Sequence, residues 1–185
     1  MDIPIPNRIL LDTNVVNFTL DWGEAIFDGG EIPNGLPARK VRDILGLQGI
    51  FMAGQRASWQ LAVSPKTYEE VTNTADPCRQ ARLRGWFNEL WLYWREIFRN
   101  EGLDDLEVAA LAKKLASSEV LGAFPDSPDR ELIADAIAYN CDTFCTRDYR
   151  SILRHREKVD TLLQLRFITP AEWWDELKPY APLWI

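Results

Sequence analysis

Acidic side chains stand after short apolar runs or at helix starts at four separated places. Arg8–Leu11 ends at Asp12, and Thr143–Cys145 leads through Thr146 to Asp148. Glu69 and Glu70 come soon after the run Trp59–Val63, and Asp129 falls in the first turn of a helix opened by Ser127-Pro128. Carboxylates brought together without a cation raise one another's pKa and cost stability. Oxygen donors without His or Cys suit a hard divalent ion, Mg²⁺ or Mn²⁺, which removes that conflict and can activate a water. Each acid also has a structural use, Asp12 and Asp148 as helix caps and Asp129 as a complement to a helix dipole. The joint pattern is what points to chemistry.

The elements that must position these groups announce themselves by their ends. Ser64-Pro65, Asp76-Pro77, Ser127-Pro128 and Thr169-Pro170 each set an oxygen-bearing cap before a proline. The cap oxygen accepts an orphan backbone N–H, and proline at the first helical position gives up a donor that had no partner. Strands are expected at Arg8–Leu11, Trp59–Val63, Thr143–Thr146 and Arg166–Ile168, each followed by a helix signal. This alternation predicts an α/β fold with a central parallel sheet flanked by helices, and functional groups beyond the carboxyl ends of the strands. Runs that are mostly apolar rather than strictly alternating fit strands buried on both faces. Phe87, Leu90, Trp91, Trp94, Ile97 and Phe98 recur at spacings of three and four, predicting a helix over Pro77–Asn100 with a core-facing stripe. Further helices are expected over Leu103–Leu115 and Ala38–Leu47, and the Gly- and Pro-rich stretch Asp21–Leu36 reads as a loop.

The 185 residues, 46% hydrophobic, predict one domain over 1–185 with a helical elaboration at about 77–115. Twenty-eight acidic against twenty-one basic residues, a net charge of −7, exclude a chain-wide basic coat for nucleic acid. Cys78, Cys141 and Cys145 show no paired metal-ligand spacing, and Cys141 and Cys145 suit core packing. The single histidine, His155, reads as a surface residue and leaves little for a Ser–His–Asp triad or a His-rich zinc site. No apolar run approaches the roughly 18–20 residues of a membrane span, and the N-terminus lacks a basic segment followed by an apolar one. A reduced, cytoplasmic protein with no membrane association is expected.

Ile9-Leu10-Leu11-Asp12-Thr13-Asn14 resembles the first motif of PIN-domain ribonucleases, an apolar strand ending in Asp-Thr-Asn. Ser64-Pro65-Lys66-Thr67-Tyr68-Glu69-Glu70-Val71 is similar to the second, and its spacing selects Glu70 over Glu69, between which periodicity does not decide. Asp129 opening an apolar helix resembles the third motif, and Thr146-Arg147-Asp148 the fourth. Phe167–Trp173 is similar to the family's last strand and helix, so the resemblance runs from Ile9 to about Leu177. Two departures stand out. The Glu70–Asp129 interval is longer than in compact members and holds the Pro77–Leu115 helices, and the Asp129–Thr146 interval exceeds the family's spacing by one residue, which keeps Asp135 open as an alternative ligand. Six helical positions, about 240°, separate Asp135 from Asp129. The two do not readily face one site, and Asp135 is expected to face solvent.

The resemblance implies a PIN-like three-layer α/β/α domain and a metal-dependent endoribonuclease. Asp12, Glu70, Asp129 and Asp148 would hold one or two Mg²⁺ or Mn²⁺ ions, and hydrolysis would leave a 5′-phosphate and a 3′-hydroxyl. Thr13, Asn14 and Thr146 would keep the carboxylates in register. Many small members are VapC-like toxins restrained by an antitoxin protein, so RNA is the implied substrate and an antitoxin, or a second copy in a homodimer, the implied partner. If the segment after Asp148 is helical, Arg147, Arg150 and Arg154 share a face suited to RNA phosphates. Arg79, Arg82 and Arg84 form a weaker basic group. The competing expectation is a non-catalytic PIN-like module that binds protein or RNA.

Overall fold

The computed structural model describes residues 5–54, 59–73 and 77–183, without the side chains of 77–84, 160, 161 and 183. In chain order the elements are β1 (Arg8–Leu11), α1 (Thr13–Asp21), α2 (Gly23–Phe27), α3 (Ala38–Gly54), β2 (Gln60–Ala62), α4 (Pro65–Thr72), α5 (Pro77–Asn100), α6 (Asp105–Ala116), α7 (Ser127–Ala138), β3 (Thr143–Cys145), α8 (Arg156–Leu163), β4 (Arg166–Ile168) and α9 (Pro170–Leu177). The strands are the expected runs, two of them trimmed at their ends.

Among the described residues four strands pair in the order β2-β1-β3-β4, all parallel. Ile9 and Leu11 point to one face, into a core shared with α1, α3 and Trp173 and Leu177 of α9. Leu10 points to the other, with Phe144, Phe167 and the buried side of α7. Both faces are covered by helices, which is why β1 carries no polar alternation. Helix α5 belongs to both cores, with Phe87 and Leu90 in the first and Trp94 and Phe98 in the second.

Two of the proline-marked caps are made as expected. Ser64 Oγ accepts from Thr67 N–H at 2.9 Å, and Thr169 forms a reciprocal pair with Glu172. Asp76 lies outside the described residues, as do the Cys78, Arg79, Arg82 and Arg84 side chains and the last residues of the tail. At Ser127-Pro128, Asp126 and not Ser127 is the cap position, and the Ser127 hydroxyl turns instead to Glu131 Oε1 at 3.3 Å. Helix α2 interrupts the stretch expected to be a loop. Helix α3 runs past Leu47 to Gly54 because its glycines are a packing surface: a Cβ on Gly46 would sit 2.7 Å from the Pro170 carbonyl oxygen, and one on Gly49 would sit 2.5 Å from the Trp174 ring. Cys141 and Cys145 are buried free thiols, as expected. His155 is half-buried rather than at the surface, edge-on to Phe124. Among the described residues no helix is long and apolar enough to cross a membrane.

Candidate active site

The chain leaves β1 towards β2 on one side and returns past β1 to β3 on the other. The carboxyl ends of β1 and β3 therefore border the switch point of the sheet, where a crevice opens in this architecture. Leu11 is in register with Cys145, and Asp12 N–H donates to the Cys145 carbonyl at 3.0 Å. The next residues out, Asp12 and Thr146, thus meet side by side.

Asp12 is 4% exposed and caps α1. Its Oδ2 accepts from the Thr146 hydroxyl and from Asn14 Nδ2, the latter at 2.6 Å. Asn14 Nδ2 also reaches Thr146 Oγ1 at 3.2 Å, and Asn14 Oδ1 accepts the Arg147 N–H at 2.9 Å. Thr13 plays a different part: its hydroxyl bonds that of Thr67 at 2.8 Å, tying α1 to the start of α4. Asp148 N–H donates to Thr146 Oγ1 at 2.9 Å, so one threonine orders both aspartates. The Asp148 carboxylate then accepts from Arg150 N–H, Ser151 N–H and the Ser151 hydroxyl, at 2.7–2.8 Å.

These surroundings separate the acids. Burial pushes Asp12 up to about 6, and the charges of Asp129 and Asp148 add to it, against the lowering bonds from Thr146 and Asn14. Asp129 is also raised, first by burial and then by Asp148 and Asp126, while the Ser151 hydroxyl and Lys66 oppose. For Asp148 burial works upward too, but its bonds from Ser151, Arg150 and Ile152 outweigh it and the carboxyl falls below its ordinary value. Three acids from β1, α7 and the end of β3 thus feel one another across the crevice. The Asp129 Oδ2 atom is buried there with no hydrogen-bond partner. Even so, among the described residues no three His, Cys, Asp or Glu side chains stand close enough to form a ready-made metal cage.

Glu70 joins none of these hydrogen bonds and is exposed, as is Glu69. Helical geometry still distinguishes them. Thr67 faces Thr13, and Lys66 pairs with Glu131 of α7 at 2.5 Å. Glu70 stands three and four residues beyond these two and shares their side of α4, whereas Glu69 is turned away from Thr67 by about 200°.

Two expectations need correction. Residues 147–152 form irregular turns, not a helix, so Arg147, Arg150 and Arg154 share no helical face. Arg150 and Arg154 are exposed, but Arg147 is spent on the fold: its Nε bonds Asp43 Oδ2 at 2.8 Å and its guanidinium lies 3.5 Å from the centre of the Phe18 ring. Asp135 is not the fully solvent-facing residue its helical angle suggests. It is half-buried because α7 is wedged between the sheet and α6 and so has little free surface.

Burial, with Glu131 adding and Lys66 opposing, pushes Asp135 up to about 7. A carboxyl whose folded pKa is raised destabilises the protein once the unfolded chain ionises, from about pH 4, with the full cost present above pH 7. Asp135→Asn should therefore raise stability by about 2–3 kcal/mol at pH 8, allowing for partial exposure, and by much less at pH 5. Urea unfolding at the two pH values checks this; an equal effect at both would rule out ionisation as the cause.

Ser151 and Asp43 were not singled out in the sequence, although each left a trace. Ser151 is three residues after Asp148, the spacing of a local cap. Asp43 falls on the buried Leu47 and Ile50 side of α3, where a lone acid calls for a partner. Fold and site together define an α/β protein with an aspartate cluster at the switch point of a parallel sheet. Compared with known proteins, the chain matches no family model, no curated protein and no solved structure.

Proposed function

We propose that this chain is a PIN-like, metal-dependent endoribonuclease, with Asp12, Asp129 and Asp148 as the core of its site and RNA as substrate. The observation that carries the reading is the buried, unpartnered Oδ2 of Asp129 beside two further aspartates on separate elements. Burying carboxylates together has a cost that a cation would relieve.

The donor set fits a hard cation. Mg²⁺ is commonly held by one or two carboxylates with water filling its other positions, so a complete protein cage is not required. Asp12, Asp129 and Asp148 would hold it, with Glu70 on the α4 side. When bound, such an ion supplies an acidified water and neutralises phosphate charge. The chain's own residues fix the rest. Thr146 and Asn14 hold the Asp12 carboxylate in one orientation, and Ser151 with two backbone N–H groups keeps Asp148 ionised. Asp129 keeps one buried acceptor atom without a hydrogen-bond partner.

A role as the toxin of a toxin–antitoxin pair, restrained by an antitoxin protein, extends this reading through the family resemblance alone. Calorimetric titration with Mn²⁺ and cleavage of labelled RNA test the central claim. Saturable Mn²⁺ binding with cleavage that EDTA abolishes is expected. A chain that neither binds Mn²⁺ nor cuts RNA is the non-catalytic module.

A further inference from the structure

We propose that a groove starting at Tyr149 and following the carboxyl edge of the sheet past β4 binds the phosphate backbone of single-stranded RNA. The identity of the ligand rests on the nuclease reading; the groove itself rests on its own residues. Two adjoining depressions share Tyr149 and Glu172 as lining. One, of about 260 Å³, has Arg39 and Arg42 on its wall. The other, of about 340 Å³, has Arg154 and Arg156.

Topology puts these residues together. Helix α3 returns the chain to the start of β2, so its N-terminus, with Arg39 and Arg42, stands at the carboxyl edge. Thr169 caps α9 immediately after β4 and places Glu172 on the same edge. Tyr149 follows Asp148 directly in the chain, so the groove begins one residue beyond the aspartate at the carboxyl end of β3.

The charge of the groove is opposite to that of the whole chain. Four arginines line it in a protein of net charge −7, against Glu157 and Glu172. Glu172 is already engaged, by Arg156 Nη1 at 2.9 and 3.0 Å and by the Thr169 N–H at 2.8 Å. Arg42 carries an ion pair with Asp175 at 2.8 Å, but both side chains are more than half exposed. Such a pair is worth little and exchanges readily for a phosphate. The Arg39 guanidinium lies 4.0 Å from the centre of the Tyr149 ring. Cations on both sides of an aromatic wall suit a single strand, whose phosphates take the guanidinium groups while a base stacks over the Arg39–Tyr149 pair.

The test measures anisotropy of a labelled single-stranded RNA of about ten nucleotides, in EDTA, across a salt series. Arg39→Ala combined with Arg154→Ala should weaken binding and reduce the log–log salt slope by about 1.4, two phosphate contacts' worth. Tyr149→Ala should weaken binding about tenfold while Tyr149→Phe retains it. Lys113→Ala with Lys114→Ala removes two exposed charges from α6, outside the groove, and should leave the slope unchanged. If the groove double variant behaves like the α6 one, or if the unsubstituted chain does not bind the RNA, the inference is overturned. RNA held by the groove without Mn²⁺-dependent cleavage would support the groove and refute the nuclease reading. Cleavage and binding indifferent to every groove substitution would do the reverse.

Discussion

Asp12→Asn is expected to lower Mn²⁺- or Mg²⁺-dependent RNA cleavage more than about a hundredfold, since loss of a group that merely supports a ligand already costs about 10–100-fold. The substitution should not unfold the protein. Asn is close to isosteric, and its carboxamide oxygen can still accept from Thr146 or Asn14, which now bond Asp12. Burial and the neighbouring aspartates push the Asp12 carboxyl up to about 6, so ionising it at neutral pH costs the folded protein more than it costs the unfolded chain. Two pKa units correspond to about 3 kcal/mol in favour of a neutral side chain above pH 6, a gain that fades as the pH falls towards 4. At pH 7.5 in EDTA the variant should melt no lower than the parent chain. Undiminished cleavage by Asp12→Asn would remove Asp12 from the chemistry.

Arg147→Ala should cost about 3–5 kcal/mol of stability, because it strands the carboxylate of Asp43 inside the protein. Asp43 is fully buried, whereas the Arg147 side chain keeps 22% exposure. Burial already raises the Asp43 carboxyl, with Arg147 the main opposing influence. Without the guanidinium the acid must take up a proton or stay uncompensated. The loss is therefore greater at pH 8 than at pH 5, where protonation is cheap. Adding Asp43→Asn to Arg147→Ala should recover part of it, which chemical unfolding of the three variants would measure. Normal stability with weakened RNA binding would instead return Arg147 to the role of phosphate contact.

Local signals in the chain were reliable where one interaction decided the outcome. Ser64 and Thr169 cap their helices because each offers an oxygen where the backbone has spare donors. Runs such as Ile9–Leu11 became central strands because both of their faces are covered. Asp12, Thr146 and Asn14 were legible as a group because strand register brings their positions together. Misreadings came where packing between distant segments decided. Gly46 and Gly49 look like reasons to end a helix, yet they let α9 approach α3 closely. Asp135 was assigned to solvent by angle, but α7 has neighbours on both sides. Arg147 looked like part of a basic face, while its partner stands 104 positions earlier in the chain. The placing of Glu70 depends on how α4 sits against α7, and no pattern within α4 encodes that.

Helix α5 lends Phe87 and Leu90 to one side of the sheet and Trp94 and Phe98 to the other. The two sides therefore cannot come apart independently. Fraying Phe87 and Leu90 loosens the clasp formed by Trp94 and Phe98, so heat or denaturant should dismantle the molecule in a single step, with tryptophan fluorescence and helical signal lost together. The long insert between the second and third acids is thus the strap that makes the molecule melt as one body.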